Sequence, residues 1–287
     1  MKKVFKVLSV GALALTLAAC NSSATPTKDT SKKSDLTLEQ VYDKAVERQA
    51  DIKSVSATME MSQKTKAGSG DQAVEIAMDS KMEMDVISDP LAAHITGSMT
   101  VPDMASEDKK TMDMPIDMYM KKEQGFFMKD PTTESWFKLP SEQFDAILEQ
   151  TASSANAKEQ LEQLKEFIGD FKFEQNDDAY ILTLDAKGDK FKELIDSEMQ
   201  KSMKDLGLEE NPLDNITIDK INYVLQIDKE TFDTEKMDMN FDLKMKVEDQ
   251  EISTSTKSVV TYTEFNHLKT IDIPQDIIDN AATPPGQ

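Results

Sequence analysis

A two-residue period, held through unusually long stretches, limits this chain more than any other feature. Met237, Met239, Phe241, Leu243, Met245 and Val247 alternate with Lys236, Asp238, Asn240, Asp242, Lys244, Lys246 and Glu248. Successive side chains of a strand point to opposite faces, so such a segment carries one apolar and one polar face. Val74, Ile76, Met78, Ser80, Met82, Met84 and Val86 keep the same phase for thirteen residues. Val55 to Met61, Ala93 to Val101, Met112 to Met120 and Ile221 to Ile227 repeat it over shorter runs. A helical sequence does not alternate in this way. Half-buried strands with short, turn-like connections between them predict antiparallel pairing.

The other segments fit around these. Phe126–Met128 and Trp136–Leu139 read as short strands flanking an Asp130-Pro131 turn, and Phe171–Phe173 and Tyr180–Leu184 as two more. Val259–Phe265 and Leu268–Ile273 read as the last strands before Pro274, and Ile277 and Ile278 as a short final turn. Leu38, Val41, Tyr42, Ala45 and Val46 recur at helical spacing behind an N-cap at Thr37. Further helices are predicted after Ser141 (Phe144, Ile147, Leu148), over Lys158–Ile168 and from Phe191 to Met203. The sum is an α+β chain: a long curved antiparallel sheet, a half-barrel, wrapped around a few amphipathic helices. Strands of about a dozen residues span on the order of 40 Å, and a sheet that long must twist and curl. "SKMEMDV" from Ser80 and "EKMDMNF" from Glu235 echo each other; strand patterning in an acidic, Met-rich chain accounts for that.

The N-terminus is a targeting sequence by pattern. Lys2, Lys3 and Lys6 precede an apolar run from Val7 to Leu17, too short to span a bilayer. The run ends in Leu17-Ala18-Ala19-Cys20, which resembles the lipobox of bacterial lipoproteins. The resemblance implies a diacylglyceryl thioether on Cys20 and cleavage just before it. Cys20 is the sole cysteine, so no intramolecular disulfide can form. Residues 21–35 are rich in Ser, Thr, Lys and Asp and read as a flexible tether. The expected organisation is a signal peptide over 1–19, lipidated cysteine and tether over 20–36, a single domain over 37–280 and a disordered tail over 281–287. Removing Lys2, Lys3 and Lys6 leaves 30 basic residues against 54 acidic ones, a net charge of −24. That field repels nucleic acid and anionic headgroups, so membrane contact is expected through the acyl anchor alone. One arginine, Arg48, among many lysines suggests an AT-rich genome, in keeping with a Gram-positive surface lipoprotein.

Lipobox, tether, opening helix and long alternating strands together resemble the half-barrel lipoproteins and lipoprotein carriers, the group of LolA, LolB, LppX and LprG. The similarity of layout runs from about Leu36 to Asp279, including Ile271-Asp-Ile-Pro274 at the last strand end. It implies a curved sheet around helices enclosing an apolar cavity for acyl chains. It is one of pattern, and no lipid-contacting residue transfers with it.

The chain holds 18 methionines, many at strand positions where Val or Ile would have higher β-propensity. Unbranched and polarizable, methionine fits irregular apolar partners. Met82, Met84, Met112, Met114, Met118, Met237, Met239, Phe241 and Met245 are therefore the candidate lining for a lipid-like ligand. Two other readings are a dry, closed core acting through an acidic outer face, and Cu(I) held by Met-x-Met pairs. Copper lacks the usual company, since His94 and His267 are isolated in sequence. No nucleophile elbow, zincin motif or phosphate loop occurs, and Asp185–Asp189 misses EF-hand spacing, so neither catalysis nor a cofactor is expected. The expected partners are the membrane, a hydrophobic small molecule and no second subunit. Replacing the anchor gives the first test: a Cys20→Ser chain should lose its acyl mass by mass spectrometry and leave the membrane fraction.

Overall fold

The alternating segments form the strands they predict, and more than one of them runs longer. The structure is a computed structural model that describes residues 23–27, 34–68, 73–103, 111–141, 144, 165–186, 216–247 and 250–283. Its elements are β1 (Thr25–Pro26), α1 (Leu38–Ala50), β2 (Ser54–Ala67), β3 (Val74–Ser88), β4 (Leu91–Pro102), β5 (Thr111–Lys121), β6 (Gly125–Lys129) and β7 (Trp136–Lys138). After a 3₁₀ segment at Lys165–Asp170 come β8 (Phe171–Gln175), β9 (Ala179–Ala186), β10 (Ile216–Asp228), β11 (Thr234–Val247), β12 (Gln250–Phe265) and α2 (Gln275–Asn280). Among the described residues the strands make one sheet in the order β1-β8-β9-β10-β11-β12-β2-β3-β4-β5-β6-β7. Two antiparallel meanders, β2–β7 and β8–β12, join where β12 pairs with β2, and only the β1–β8 ladder is parallel.

β2, β3, β11 and β12 hold 14, 15, 14 and 16 residues. Strands of that length span roughly 50 Å and oblige the sheet to curl. Gly97 stands where β4 runs tight against β3, with φ +154°. A Cβ there would lie 2.1 Å from the Lys81 carbonyl oxygen and 2.8 Å from Met82 Cα. Only a residue without a side chain allows that approach.

Thr37 caps α1 with a full capping box, its side chain accepting from Gln40 N while Gln40 accepts from Thr37 N. Leu38, Val41, Tyr42 and Ala45 then bury one stripe of α1 against Phe171, Phe173, Leu182, Leu184, Ile221 and Leu225. The far end of the helix is clamped by Arg48, whose Nε lies 2.7 Å from Asp233 Oδ1 and whose Nη2 reaches Oδ2 at 3.4 Å. Lys44 sits 4.9 Å above the Phe232 ring beside it. Asn266 (φ 58°) ends β12, its side-chain oxygen accepting from Lys53 N at 2.6 Å, and turns the chain toward the opposite face of the sheet. There Ile271 packs with Ile87 and Ala92, and Ile273 and Ile277 pack with Phe127.

Three expectations change. Leu268–Ile273 joins no ladder; it is held by the packing of Ile271 and Ile273, by Leu268 N donating to Ser54 Oγ and by the Lys121–Asp272 ion pair. The chain end is docked as far as it is described, because Ala282 N donates to Trp136 O and Lys138 N donates to Ala282 O, both at 2.9 Å. Part of the segment read as a tether is also docked: Ala24 is buried in the α1 core, and Thr25 and Pro26 pair with Glu174 and Gln175. Of the helices predicted in the middle, Ile147, Leu148, Leu161, Leu164 and Phe191–Met203 lie outside the described residues. A Gly97→Ala chain should lose on the order of 1–3 kcal/mol. Urea unfolding would measure it, with Ser98→Ala, on the exposed side of the same strand, near neutral.

Candidate functional site

Residues directly opposite in neighbouring strands share a face, so the ladders assign every candidate methionine to a side. Met82 faces Met59 on one side and Gly97 on the other. Met84 lies between Ala57 and Ile95, and Met118 between Ile95 and Met128. Met112 and Met114 oppose Val101 and Met99. Met237, Met239, Phe241 and Met245 oppose Leu225, Tyr223, Ile221 and Ile216 in β10, and Val260, Ser258, Thr256 and Ile252 in β12. All nine candidates therefore share one face. A single cross-strand row, Phe173–Leu182–Leu225–Met237–Val260–Met59–Met82–Gly97–Ile116, crosses nine strands. The same registers add Met59, Met61, Met99 and Met128, which a strand-by-strand reading leaves out of the site because register is invisible within one strand.

Cover over this face is uneven. α1 seals it over β8–β10, and Met237 and Phe241 pack at the margin of that core. Phe144 seals another corner with Ala93 and Met120. Between them Met59, Met61, Met82, Met84, Met99, Met114 and Met118 are half-buried, and Met112 is 47% exposed. The apolar run is broken at its centre by small polar groups. Ser258 and Ser80 flank Met61 in adjacent ladders, and the buried Ser80 hydroxyl has no hydrogen-bond partner among the described residues. The Tyr223 and Tyr262 phenols belong to this face, and burial raises the pKa of both, so they remain neutral donors.

The opposite face is polar and largely self-paired. Lys81 meets Glu60 at 2.9 Å, Lys244 meets Asp219 at 2.7 Å and Lys236 meets Asp238 at 3.2 Å. A shallow depression of about 360 Å³ takes most of its lining from this face, including Glu60, Asp79, Lys81 and Lys257, and also reaches Met61 and Ser80. His94 stacks on Tyr119 at 3.9 Å, and its Nε2 lies 3.1 Å from Asp117 Oδ1. Its ladder partners Asp85 and Tyr119 belong to this polar side, so His94 is turned away from the methionines. At the Arg48 end, burial and the nearby Asp228, Asp233 and Asp178 charges raise the pKa of Glu235. Among the described residues no group of three or more His, Cys, Asp or Glu side chains could hold a metal ion. No described helix is long and apolar enough to cross a membrane. Cys20 lies outside the described residues.

The family model of DUF6612, a family of unknown function, matches residues 37–282. No curated protein matches the chain. Similar solved structures include a DUF1329 family protein from Desulfovibrio piger, at 8% identity over 82% of this chain and 95% of that one, with a TM-score of 0.18. A domain described as an outer membrane lipoprotein-sorting protein, from Vibrio parahaemolyticus, shares 9% identity over 85% and 98%, with a TM-score of 0.18. A β-barrel-like DUF1849 protein from Brucella abortus shares 10% identity over 74% and 100%, with a TM-score of 0.17. TM-scores this low carry no argument, and the half-barrel reading rests on the strands and ladders themselves.

Methionine oxidation follows thioether exposure. Within β5 and β6, mild peroxide should convert Met112 and Met128 (47% and 40% exposed) before Met120 (8% exposed), in a time course read by peptide mass spectrometry.

Proposed function

The chain belongs to the DUF6612 family, whose function is unknown, and from that premise we propose that it binds a lipid or other hydrophobic molecule on its methionine-lined sheet face. The observation that carries this reading is the nine-strand apolar row, with half-buried methionines at its centre and α1 covering only one end. A self-sufficient core would be expected to close its centre with branched side chains in fixed rotamers. Methionine there gives a deformable lining that follows chains of different length and unsaturation. Ser80 and Ser258 place hydroxyls within that lining, which suits an amphiphile with a polar group more than a pure hydrocarbon. The polar face, where Lys81–Glu60 and Lys244–Asp219 pair across strands, is the solvated back of the site.

In this reading the protein is an envelope lipoprotein on the outer side of the cytoplasmic membrane, anchored through Cys20, and works as a binder or carrier and not as an enzyme. The pattern of residues 1–20 supports the anchor, and the sheet face supports the ligand.

The test is native mass spectrometry of the domain from Asn21 onward, purified from its bacterial host without detergent. The expected result is a bound mass that organic solvent releases and that proves to be lipid. Met82→Glu and Met84→Glu, each placing a carboxylate on the apolar face, should abolish that mass with the circular dichroism spectrum kept. A clean apo mass that membrane lipids leave unchanged would sink the proposal, and copper-sized increments surviving chelator would replace it with the soft-metal reading.

A further inference from the structure

The methionine face carries no charge. Asp, Glu, Lys and Arg make up 30% of the chain. None of them, and no His, occupies a ladder position on that side of any described strand. Asp219 and Glu235 fall at register shifts and belong to no ladder pair. The opposite side holds Lys81, His94 and Lys257 at the matching positions. Strand alternation keeps charges off a face packed against protein, and it does the same for a face reserved for an uncharged ligand.

What polarity this face has is gathered on its two middle strands. Thr254 and Thr256 of β12 stand opposite Thr65 and Gln63 of β2, and Ser258 and Ser80 flank Met61. The Thr65 and Thr254 hydroxyl oxygens lie 3.3 Å apart. At about 3.4 Å per residue, the stripe runs roughly 14 Å along β12 from Thr254 to Ser258. Met239, Phe241 and Leu243 of β11 border it on one side, and Ile76 and Met78 of β3 on the other. Ser80 shows that the protein does not satisfy the stripe by itself. It is 8% exposed, and its hydroxyl has no hydrogen-bond partner among the described residues. A ligand oxygen or N–H would recover the free energy that such a group forfeits. The serine and threonine hydroxyls both donate and accept, and the Gln63 amide adds two donors and an acceptor. A phosphate or carboxylate drawn onto the same surface would lose its water and meet no cation.

We propose that the ligand is an uncharged acyl lipid whose polar part, a set of hydroxyl and ester oxygens such as a glycosyl diacylglycerol carries, lies along the Thr254–Ser258 stripe while its chains run over the flanking methionines. The inference rests on the lipid-binding reading above and narrows it, because headgroup charge is the property this site rejects. The chain's excess of acidic residues works in the same direction, repelling anionic lipid before contact. Threonine and valine share their β-branched shape, so replacing one by the other on these strands removes the hydroxyl and little else.

The experiment uses the chain from Asn21 to Gln287, which contains every described residue. It is mixed with equimolar monogalactosyl dioleoylglycerol, dioleoylphosphatidylcholine and dioleoylphosphatidylglycerol, which share their acyl chains and differ in the headgroup. Native mass spectrometry then reads which lipid is bound. The galactolipid complex should be about tenfold more abundant than either phospholipid complex. Thr254→Val, Thr256→Val and Ser80→Ala together should erase that preference while total bound lipid and the circular dichroism spectrum are kept. Should that chain not fold, Ser80→Ala alone, which removes a single oxygen atom, should lower the preference several-fold. Equal binding of the three lipids, or a preference for a phospholipid, overturns the inference and leaves the lipid-binding reading standing. A preference unchanged in the folded variants takes selectivity away from the stripe and also overturns it. A folded chain that binds none of the three overturns the inference and the lipid-binding reading together.

Discussion

The ladder between β12 and β2 is the contact on which the other features of the sheet depend. It joins residues some two hundred positions apart, from Ile252–Ala67 at one end to Phe265–Val55 at the other. Its register decides whether the apolar face of β8–β12 continues into that of β2–β7. A slip by one residue would turn all of β2–β7 over, and the methionines of β3 and β5 would then share a face with Lys236 and Asp238 instead of Met237 and Met239. Long-range pairing of this kind repays its loop-closure entropy only once many bonds have formed. The side-chain bonds of Asn266 to Lys53 and Asp51, next to the Phe265–Val55 end of the ladder, hold that register where the strands meet.

With the register set, the two faces are covered from different directions. α1 lies on the apolar face over β8–β10, and its orientation is fixed by a capping box at one end and the only arginine at the other. A guanidinium suits this place because its fork engages both oxygens of the largely buried Asp233, which an ammonium cannot do. The opposite face, polar over most of its area, becomes apolar only around Ile87, Ala92, Tyr119 and Phe127, and there the segment from Leu268 to Ile278 docks. The middle of the apolar face receives neither cover among the described elements, and that imbalance singles it out.

The sequence was most legible where alternation was strict. β3, β5 and β11 appear close to where Val74–Val86, Met112–Met120 and Met237–Val247 put them. β12 was read only from Val259, since residues 250–257 alternate Ile and Thr with Ser, Lys and Glu and carry little hydrophobic contrast. Leu268–Ile273 misled in the opposite sense: Leu268, Ile271 and Ile273 look like a strand because they are buried, yet what buries them is a sheet face and not a partner strand. Residues 23–27 look like linker because Ser, Ala, Thr and Pro carry no period, and two parallel bridges are too few to leave one. The candidate site was half visible. Each methionine could be assigned to an apolar side, but the merging of those sides into one surface is a property of pairings between distant strands.

Both lateral edges of this open sheet are occupied by the ends of the described chain, β1 against β8 and Ala282 against β7. Unpaired strand edges invite other chains to add on. A chain is made from its N-terminus, so the strand that protects β8 is delivered first and must wait for its partner. The guard of β7 emerges almost last. Because β12, the partner of β2, also emerges late, the β2–β7 meander spends most of synthesis with both edges bare, and in that interval the growing chain is most open to capture by a neighbour or a chaperone.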